Sequence, residues 1–313
     1  MTIIKPIALQ KGDVIGVIAP ASPPSVTEKI TKGAEYLERL GYHVKLGKNV
    51  NKVYGYLAGT DQERADDIHE MFADKSVKAI VAVRGGYGTP RLLPLLNYSL
   101  IKKNPKILVG YSDLTGLQLA IFKKTGLITF AGPMAGVEMW KEIDPFTEEH
   151  FWAMVTSKKK FGAIKNPDGK ELNVLNPGTA SGRLLGGNLS LITAIAGSPY
   201  IPSFKNSLLF IEEIEEECYR FDRMMNQLRI AGILKDTKGV IVGELTDVKA
   251  SDTTKPFLTI DQILNDYLKP LKKPVMTGLV HGHVPKKLTI PIGVQATLNT
   301  KKGVLVFNEA PVS

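Results

Sequence analysis

The sequence predicts an α/β protein, with an N-terminal parallel sheet flanked by helices and a C-terminal mixed α/β domain containing antiparallel strands. In the first half of the chain, apolar segments of strand length alternate with segments that have helical periodicity. This alternation is typical of a parallel sheet whose two faces are covered by helices. The second half continues the alternation and ends in several short strands, which indicates an antiparallel component.

Strands and helices alternate through the first 131 residues. The predicted strands span residues 13–19, 43–46, 78–83, 107–109 and 128–131. The predicted helices span residues 25–40, 61–73 and 113–124, with apolar side chains at helical spacing. Ser25 is the expected N-cap of the first of these helices.

The length of 313 residues exceeds the usual size of one domain, so we expect two. Residues 158–178 are rich in charged and turn-forming residues and have weak periodicity, which is typical of a connection. We therefore expect an N-terminal domain at 1–157, a linker at 158–178 and a C-terminal domain at 179–313. In the second half, helices are predicted at 188–196, 221–231 and 260–267, and strands at 208–211, 240–243 and 274–277.

Composition argues against several classes of protein. Cys218 is the only cysteine, so no internal disulfide or thiolate metal cluster is available. The lysines behind the net charge of +9 are dispersed, without interleaved aromatic residues, so we expect no nucleic-acid partner. No apolar run approaches the roughly 20 residues of a membrane span, and the N-terminus has no signal-peptide pattern. We expect a cytoplasmic protein with no membrane partner.

The most informative segment runs from an apolar strand at 107–109 through a Gly-Tyr-Ser-Asp turn at 110–113 into a helix. A serine on a sharp strand-to-helix turn projects its hydroxyl from the fold, beside amides that can bind a developing oxyanion. Ser112 is therefore the candidate nucleophile. The usual Gly-x-Ser-x-Gly signature is absent because Leu114 stands at its last position, and serine or aspartate at a helix start is also an ordinary N-cap.

A serine nucleophile needs a base, and the base needs an orienting group, usually a carboxylate. Glu212 ends the apolar strand at 208–211, and we expect Glu213 and residues 215–217 to follow in a loop. Such an acidic run is also typical of a solvated surface loop.

Two histidines flank a glycine after the predicted strand at 274–277. Either His281 or His283 is a candidate base, although histidines in turns are often surface or capping residues. The pair has metal-ligand spacing, but no acidic or cysteine partner accompanies it, so we expect no metal and no other cofactor. Sequence spacing cannot show that Ser112, Glu212 and a histidine meet.

The glycine-rich turn at 84–88, Arg-Gly-Gly-Tyr-Gly, follows another predicted strand. Its amides could cradle a phosphate, or lend an oxyanion donor beside the serine. It lacks the Lys-Ser/Thr ending of a P-loop, and it could be only a tight turn. Arg84 is the nearest candidate for binding a free C-terminal carboxylate, unless it bonds loop carbonyls instead.

Taken together, the motifs resemble the LD-carboxypeptidase family of serine peptidases, which also includes the microcin-C self-immunity hydrolases. The motifs that carry this resemblance span nearly the whole chain: Val14-Ile-Gly-Val-Ile-Ala-Pro-Ala-Ser22, Val83-Arg-Gly-Gly-Tyr-Gly88, Gly110-Tyr-Ser-Asp-Leu-Thr115, Gly132-Pro-Met134, Gly186-Gly-Asn188, Phe210-Ile-Glu-Glu213, Tyr219-Arg-Phe-Asp-Arg223 and Gly282-His283.

The resemblance implies a cytoplasmic carboxypeptidase that cuts an L-to-D peptide bond and releases D-alanine from murein tetrapeptide, without a cofactor. It implies a triad of Ser112, Glu212 and His283. Glu213 competes with Glu212, but neighbouring side chains on a strand face opposite ways, so only one of them can face His283. His281 lacks the preceding glycine of the family pattern. Homodimers are common in this family, so a homodimer is expected.

The resemblance also implies an oxyanion hole made by the backbone amides of Asp113 and Gly86. Substrate-binding residues are expected in the same glycine-rich turn, at Arg84, Gly85 and Tyr87.

Two alternatives remain open. An immunity-type amidase acting on peptidyl or aminoacyl nucleotides would need an aromatic platform for the base, and Trp140 and Trp152 are the only tryptophans. Nothing in the sequence ties either of them to the site. A non-catalytic two-domain protein, whose glycine turns hold a phosphorylated or sugar ligand, is the alternative from another class.

Overall fold

The computed structural model describes residues 2–313, which form two β-sheets packed with helices. The first half contains β1 (Val14–Ile18), α1 (Glu28–Arg39), β2 (His43–Leu46), α2 (Asp61–Ala73), β3 (Val77–Ala82), α3 (Thr89–Leu92), α4 (Tyr98–Lys103), β4 (Ile107–Val109), α5 (Leu114–Thr125), β5 (Thr129–Ala131) and α6 (Pro145–Thr156). The second half contains β6 (Gly162–Ile164), β7 (Asn173–Asn176), β8 (Thr179–Asn188), α7 (Leu189–Ala194), β9 (Ser207–Ile214), α8 (Cys218–Ile230), α9 (Ile233–Asp236), β10 (Gly239–Thr246), α10 (Ile260–Leu268), β11 (Val275–Thr277), β12 (Ile290–Ile292), β13 (Gln295–Asn299) and β14 (Val304–Phe307). Between residues 2 and 313, no helix combines the length and the apolar character of a membrane span.

The first sheet has the strand order β12-β5-β4-β3-β1-β2. Its strands β1 to β5 are mutually parallel, and β12 is antiparallel to β5. The central strand β4 is buried along its whole length. The predicted N-terminal parallel sheet is confirmed.

The second sheet has the strand order β6-β14-β13-β8-β9-β10-β11-β7. Strands β8 to β11 are parallel, whereas β13, β14, β6 and β7 add antiparallel pairs at the two sides. The predicted mixed C-terminal architecture with antiparallel strands is confirmed.

The segment predicted as a linker, residues 158–178, contains two strands of the second sheet. Strand β6 pairs with β14 and strand β7 pairs with β11, so they form the two outer strands. Both are short and only partly buried, which is why they lack the apolar pattern of a buried strand. Strand β12 also crosses the expected division, since it follows residue 179 but joins the first sheet.

The predicted N-cap of the first helix is wrong. Helix α1 begins at Glu28 with Thr27 at the N-cap position, and Thr27 makes no side-chain capping bond. Ser25 lies too far upstream, because an N-cap side chain reaches only the amides two or three residues ahead of it. Helix α2, by contrast, has a complete capping box between Thr60 and Glu63.

Helix α1 lies unusually close to the segment after β5. A Cβ added to Gly33 would collide with the carbonyl oxygen of Ala135 and lie 2.8 Å from its carbonyl carbon. The amide of Ala135 in turn donates to the carbonyl of Ala82 at the end of β3, over 2.9 Å. The absence of a side chain at Gly33 thus sets the position of α1 against the sheet.

We expect Gly33→Ala to lower the free energy of unfolding by about 1–3 kcal/mol, because the new methyl group meets backbone that cannot rotate away. Alanine has the higher helix propensity, so a purely local effect would have the opposite sign. Urea denaturation measures the change. Gly116→Ala in α5 is the matched control, since a Cβ there lies 3.3 Å from a ring carbon of Pro90. Equal effects of the two substitutions would contradict close helix docking.

Candidate active site

Ser112 lies in the turn between β4 and α5. Its φ angle is 64°, in the left-handed region that non-glycine residues rarely adopt. Such a conformation costs about 1–3 kcal/mol, so the surrounding contacts must enforce it. The carbonyl of Ser112 accepts a 2.9 Å hydrogen bond from the amide of Thr115, which fixes the turn to the first turn of α5.

The buried carboxylate of Asp113 connects the serine turn to the glycine-rich turn. It accepts hydrogen bonds from the amides of Gly88 and Thr89, at 3.2 and 2.8 Å. The hydroxyl of Thr89 donates to the carbonyl of Asp113 over 2.5 Å. Burial raises the pKa of Asp113, and the amide donors oppose that shift by stabilising the ionised form.

The backbone at Gly85 passes directly beside the serine. A Cβ at Gly85 would lie 2.9 Å from Ser112 Cβ and 3.3 Å from the amide nitrogen of Asp113. Only glycine permits this approach. The amides of Gly86 and Asp113 have no hydrogen-bond acceptor among residues 2–313, so both are available to an oxygen bound near Ser112.

Glu212 and His283 are hydrogen-bonded to each other. His283 Nδ1 lies 2.9 Å from Glu212 Oε2, and Glu212 is 1% exposed. The other oxygen, Oε1, is buried and has no partner in the described part of the chain. The pair therefore orients the imidazole so that Nε2 points away from the carboxylate.

Glu213 differs from its expected place in a loop, because strand β9 continues through Ile214 and pairs there with β10. The Glu213 carboxylate is buried and accepts hydrogen bonds from Asn188 Nδ2 at 2.8 Å and from the amide and hydroxyl of Ser190, each at 2.7 Å. Burial raises its pKa. Glu212 and Glu213 thus have different partners, as alternation along a strand requires.

His281, the competing histidine, is fully buried. Its Nδ1 lies 2.6 Å from the carbonyl oxygen of Leu288, and burial lowers its pKa to about 3, so the ring is neutral. Among the described residues, no group of three or more His, Cys, Asp or Glu side chains is arranged to hold a metal ion. The geometry therefore separates the two histidines: His283 meets an acid, and His281 does not.

Ser112 and His283 line one cavity of about 300 Å³, together with Arg84, Gly85 and Gly86. Within residues 2–313, the Ser112 hydroxyl makes no hydrogen bond to the imidazole. The Nε of Arg84 donates a 3.2 Å hydrogen bond to the carbonyl of Gly85. Its terminal nitrogens make no ion pair with a described residue.

Tyr87 does not line this cavity. It is 50% exposed, and its ring packs edge-on against Tyr56 with 5.4 Å between centroids. Trp140 does line the cavity, although no sequence motif tied it to the site. Trp152 lies elsewhere, stacked on Tyr42 at 5.0 Å.

Sequence comparisons identify the family of the chain. The family model of the LD-carboxypeptidase N-terminal domain matches residues 15–132, and that of the C-terminal domain matches residues 181–298. The chain belongs to the LD-carboxypeptidase family. It is therefore a member of a peptidase family, and the family-level expectation from the sequence is confirmed.

Relatives of this LD-carboxypeptidase family member carry names of two kinds. The probable murein peptide carboxypeptidase of Bacillus subtilis (strain 168) is 42% identical, over 99% of this chain and 95% of the relative. The murein tetrapeptide carboxypeptidase of Pseudomonas aeruginosa is 29% identical, over 91% of this chain and 92% of the relative. The microcin C7 self-immunity protein MccF of Escherichia coli is 32% identical, over 93% and 92% respectively.

Solved structures of both kinds share the fold. MccF in complex with glutamyl sulfamoyl guanosine has a TM-score of 0.90 at 27% identity, covering 99% of each chain. The muramoyltetrapeptide carboxypeptidase from Oxalobacter formigenes has a TM-score of 0.82 at 30% identity, covering 95% of this chain and 99% of that one. The fold alone does not distinguish the two kinds of substrate.

A buried ionic network, missed by sequence reasoning, lies behind the candidate site of this LD-carboxypeptidase family member. Lys287 Nζ lies 2.5 Å from Glu138 Oε1 and 2.8 Å from the hydroxyl of Tyr111, and that hydroxyl donates to Glu138 over 2.8 Å. Burial lowers the pKa of Lys287, and the Glu138 carboxylate opposes this shift. The Tyr111 ring also packs edge-on against His283, with centroids 5.1 Å apart.

No local pattern pointed to this network, because Glu138 and Lys287 are 149 residues apart. One member, Tyr111, directly precedes the candidate nucleophile Ser112 in the sequence, and that position could have indicated a role near the site. The network supports the ring that packs against His283, so it belongs to the structural support of the candidate site.

We expect Lys287→Met to lower the free energy of unfolding by about 3–5 kcal/mol, because it leaves a buried carboxylate without its cation. Lys286→Met is the control, since the neighbouring Lys286 pairs with the exposed Asp168, and such pairs contribute about 0–1 kcal/mol. Replacing Glu138 by Gln as well should recover part of the loss. Urea denaturation of the variants measures the changes, and similar losses for the two lysines would contradict the buried pair's role.

Proposed function

We propose that this protein is a serine LD-carboxypeptidase that releases terminal D-alanine from murein tetrapeptide during cytoplasmic cell-wall recycling. The observation that carries the proposal is the 2.9 Å contact between His283 and Glu212, beside a cavity that Ser112 also lines. A hydroxyl, an imidazole and a buried carboxylate are the groups that serine-dependent acyl transfer needs. The names of the murein peptide relatives support the substrate class.

In the proposed reaction, Ser112 Oγ attacks the carbonyl carbon of the L-to-D peptide bond while His283 Nε2 takes the hydroxyl proton. Glu212 accepts the hydrogen bond from Nδ1 and stabilises the imidazolium. The tetrahedral intermediate collapses as His283 gives its proton to the departing amine of D-alanine. Water then attacks the acyl-enzyme, with His283 again as base, and restores the Ser112 hydroxyl. In this proposal the hydrogen bond between Ser112 Oγ and His283 Nε2 forms when substrate binds, since catalytic hydrogen bonds are often long or poorly aligned in unliganded enzymes.

The proposal gives the amides of Asp113 and Gly86 the role of the oxyanion hole. Both lack internal acceptors in the described chain, and each such donor contributes about 10²–10³-fold to turnover in serine peptidases. Arg84 is the proposed partner of the terminal carboxylate, since it lines the cavity and makes no ion pair with a residue between 2 and 313. Gly85 permits the approach of the two turns. The exposed ring of Tyr87 is assigned to the outer part of the substrate.

The proposal also includes two domains and a homodimer. Ser112 lies in the turn that follows strand β4 of the first sheet, whereas Glu212 and His283 lie in the second half of the chain. The homodimer rests on the family resemblance, and light scattering of the purified protein measures it.

We expect Ser112→Ala to lower the rate of D-alanine release by up to about 10⁶-fold, because the triad acts as a unit. Mass spectrometry of muropeptides incubated with each protein measures the loss of one alanine. A serine-directed fluorophosphonate should label the wild type at Ser112 and leave the variant unlabelled. Activity should survive EDTA, since the proposed steps use side chains alone. Near-normal release by Ser112→Ala would remove this residue from the chemistry, and a wild type that neither reacts nor labels would favour the non-catalytic binding protein.

We expect Glu212→Gln to lower turnover by about 10⁴-fold, because an amide can neither fix the Nδ1 tautomer nor stabilise the imidazolium. Glu213→Gln is the matched control: it changes a neighbouring buried carboxylate whose partners are Asn188 and Ser190. It should lower the melting temperature but spare most of the turnover. Steady-state kinetics measures the turnover of both variants, and thermal unfolding measures their melting temperatures. A larger loss of turnover in Glu213→Gln than in Glu212→Gln would identify Glu213 as the acid.

A second candidate function is hydrolysis of a peptidyl or aminoacyl nucleotide by the same triad. The observation that favours it is Trp140, whose indole lines the cavity and offers a surface on which a base can stack. The MccF relative supports it as well. Comparing kcat/KM for murein tetrapeptide and for an aminoacyl sulfamoyl nucleotide distinguishes the two functions, and the larger value identifies the preferred substrate class.

A further inference from the structure

We infer that Lys29 and Lys141, arranged around Trp140, form an anion subsite that selects substrates with a second carboxylate on the acyl side of the scissile bond. This inference rests on the proposed function and adds the substrate's charge to it. A free carboxylate at that position is expected to bind far better than its amide.

Charge is the first observation. The cavity is lined by three cationic side chains, Lys29, Arg84 and Lys141, and by no carboxylate. None of the three makes an ion pair with a residue in the described range 2–313. Lys32, one turn further along α1, does pair with Glu28 at 2.7 Å. The three cations are thus available to bind an anionic ligand. The low-dielectric walls of the cavity strengthen the electrostatic potential that they create inside it.

Position is the second observation. Arg84 follows β3 and bonds the carbonyl of Gly85, so it belongs to the turn beside Ser112. Lys29 lies in the first turn of α1, and its Nζ is 4.8 Å from the centroid of the Trp140 ring. Arg84 is thus one cationic group, in the turn after β3. Lys29 and Lys141 form the other group at Trp140, since Lys29 contacts the Trp140 ring and Lys141 directly follows Trp140 in the chain. One group suits the terminal carboxylate, and the other suits an acid elsewhere on the substrate.

Rigidity is the third observation. The segment that carries Trp140 is held to the end of β3 by a 2.8 Å hydrogen bond from the amide of Gly136 to the carbonyl of Val83. A Cβ at Gly136 would lie 3.5 Å from Lys29 Cβ, so the two elements are in contact at this point. A cation–π contact with Trp140 then limits the positions of the Lys29 ammonium group. A cation fixed in this way loses less entropy when it binds an anion.

The lysine ammonium groups distinguish a carboxylate from an amide of the same shape. A hydrogen bond from an ammonium group to a carboxylate is about twice as strong as one between neutral groups. Converting the second carboxylate to an amide therefore removes the ionic contact but preserves shape. We expect at least a tenfold loss of kcat/KM, seen mainly in KM, because this contact forms equally in the ground state and the transition state.

The test uses a murein tetrapeptide and matched peptides in which each acyl-side carboxylate is converted in turn to the amide. With wild-type protein, kcat/KM is measured by D-alanine release; with Ser112→Ala, Kd is measured by calorimetry. At least one amidation should lower kcat/KM and raise Kd by about tenfold or more. The difference between the acid and its amide should be smaller in 0.5 M NaCl, because salt screens the charges. Amidation without effect on either quantity overturns the subsite.

Variants at Lys29 separate charge from shape. Lys29→Met should lose most of the discrimination between acid and amide, whereas Lys29→Arg should retain it. Lys32→Met, an exposed position on the same helix, should behave as wild type. Discrimination that survives in Lys29→Met overturns the assignment. If acid forms bind selectively but no D-alanine is released, the proposed function fails while the subsite stands; if no peptide binds, both fail.

Discussion

The buried carboxylate of Asp113 is the interaction on which the candidate site depends. It joins two turns that follow different strands of the first sheet, because it accepts hydrogen bonds from the amides of Gly88 and Thr89. An ionised carboxylate is costly to bury unless donors surround it, and here the donors are backbone amides of the neighbouring turn. In the part of the chain that the structure describes, the amides of Gly86 and Asp113 in these turns have no hydrogen-bond acceptor. One polar contact thus fixes the shape of the turns and frees the donors that an oxyanion would use.

A second contact relates the serine turn to the second sheet. The Thr115 hydroxyl, in the first turn of α5, accepts a 3.0 Å hydrogen bond from the amide of Asn188 at the end of β8. In the parallel pairing of β8 with β9, Asn188 lies directly opposite Glu212. The position of Glu212 relative to Ser112 is therefore set through one hydrogen bond to a side-chain hydroxyl and one pairing between adjacent strands. The shared cavity of Ser112 and His283 therefore depends on how the two halves of the chain pack, and no single element determines it.

The cationic side chains around the cavity are of two kinds, paired and unpaired. Behind it, Lys287 is buried and paired with Glu138, so its charge is satisfied within the protein. Inside it, Lys29, Arg84 and Lys141 are unpaired within the described chain. Buried charges need partners for stability, whereas partly exposed charges remain available to a ligand. The contrast between paired and unpaired lysines is the basis on which we propose an anionic substrate for this cavity.

The candidate site was predictable from the sequence where its signals are local. The Gly-Tyr-Ser-Asp turn at 110–113 and the strand that ends in Glu212 are short-range patterns, and turn chemistry is encoded within a few residues. The pairing of Glu212 with His283, 71 residues apart, is a long-range contact that spacing cannot reveal. The place of Trp140 in the cavity and the burial of Glu213 in a strand were equally hidden, since both depend on neighbours from distant segments.

The sequence by itself determined the main alternation of strands and helices in the first 131 residues, the parallel first sheet and the family, because periodicity and motifs are local properties of the chain. Tertiary structure alone decided that residues 158–178 supply the outer strands β6 and β7, and that β12 joins the first sheet. Edge strands of this kind are short and half-solvated, so their own residues carry little apolar pattern. Their partners lie more than 90 residues further along the chain, and only the folded arrangement brings those hydrogen-bonding groups together.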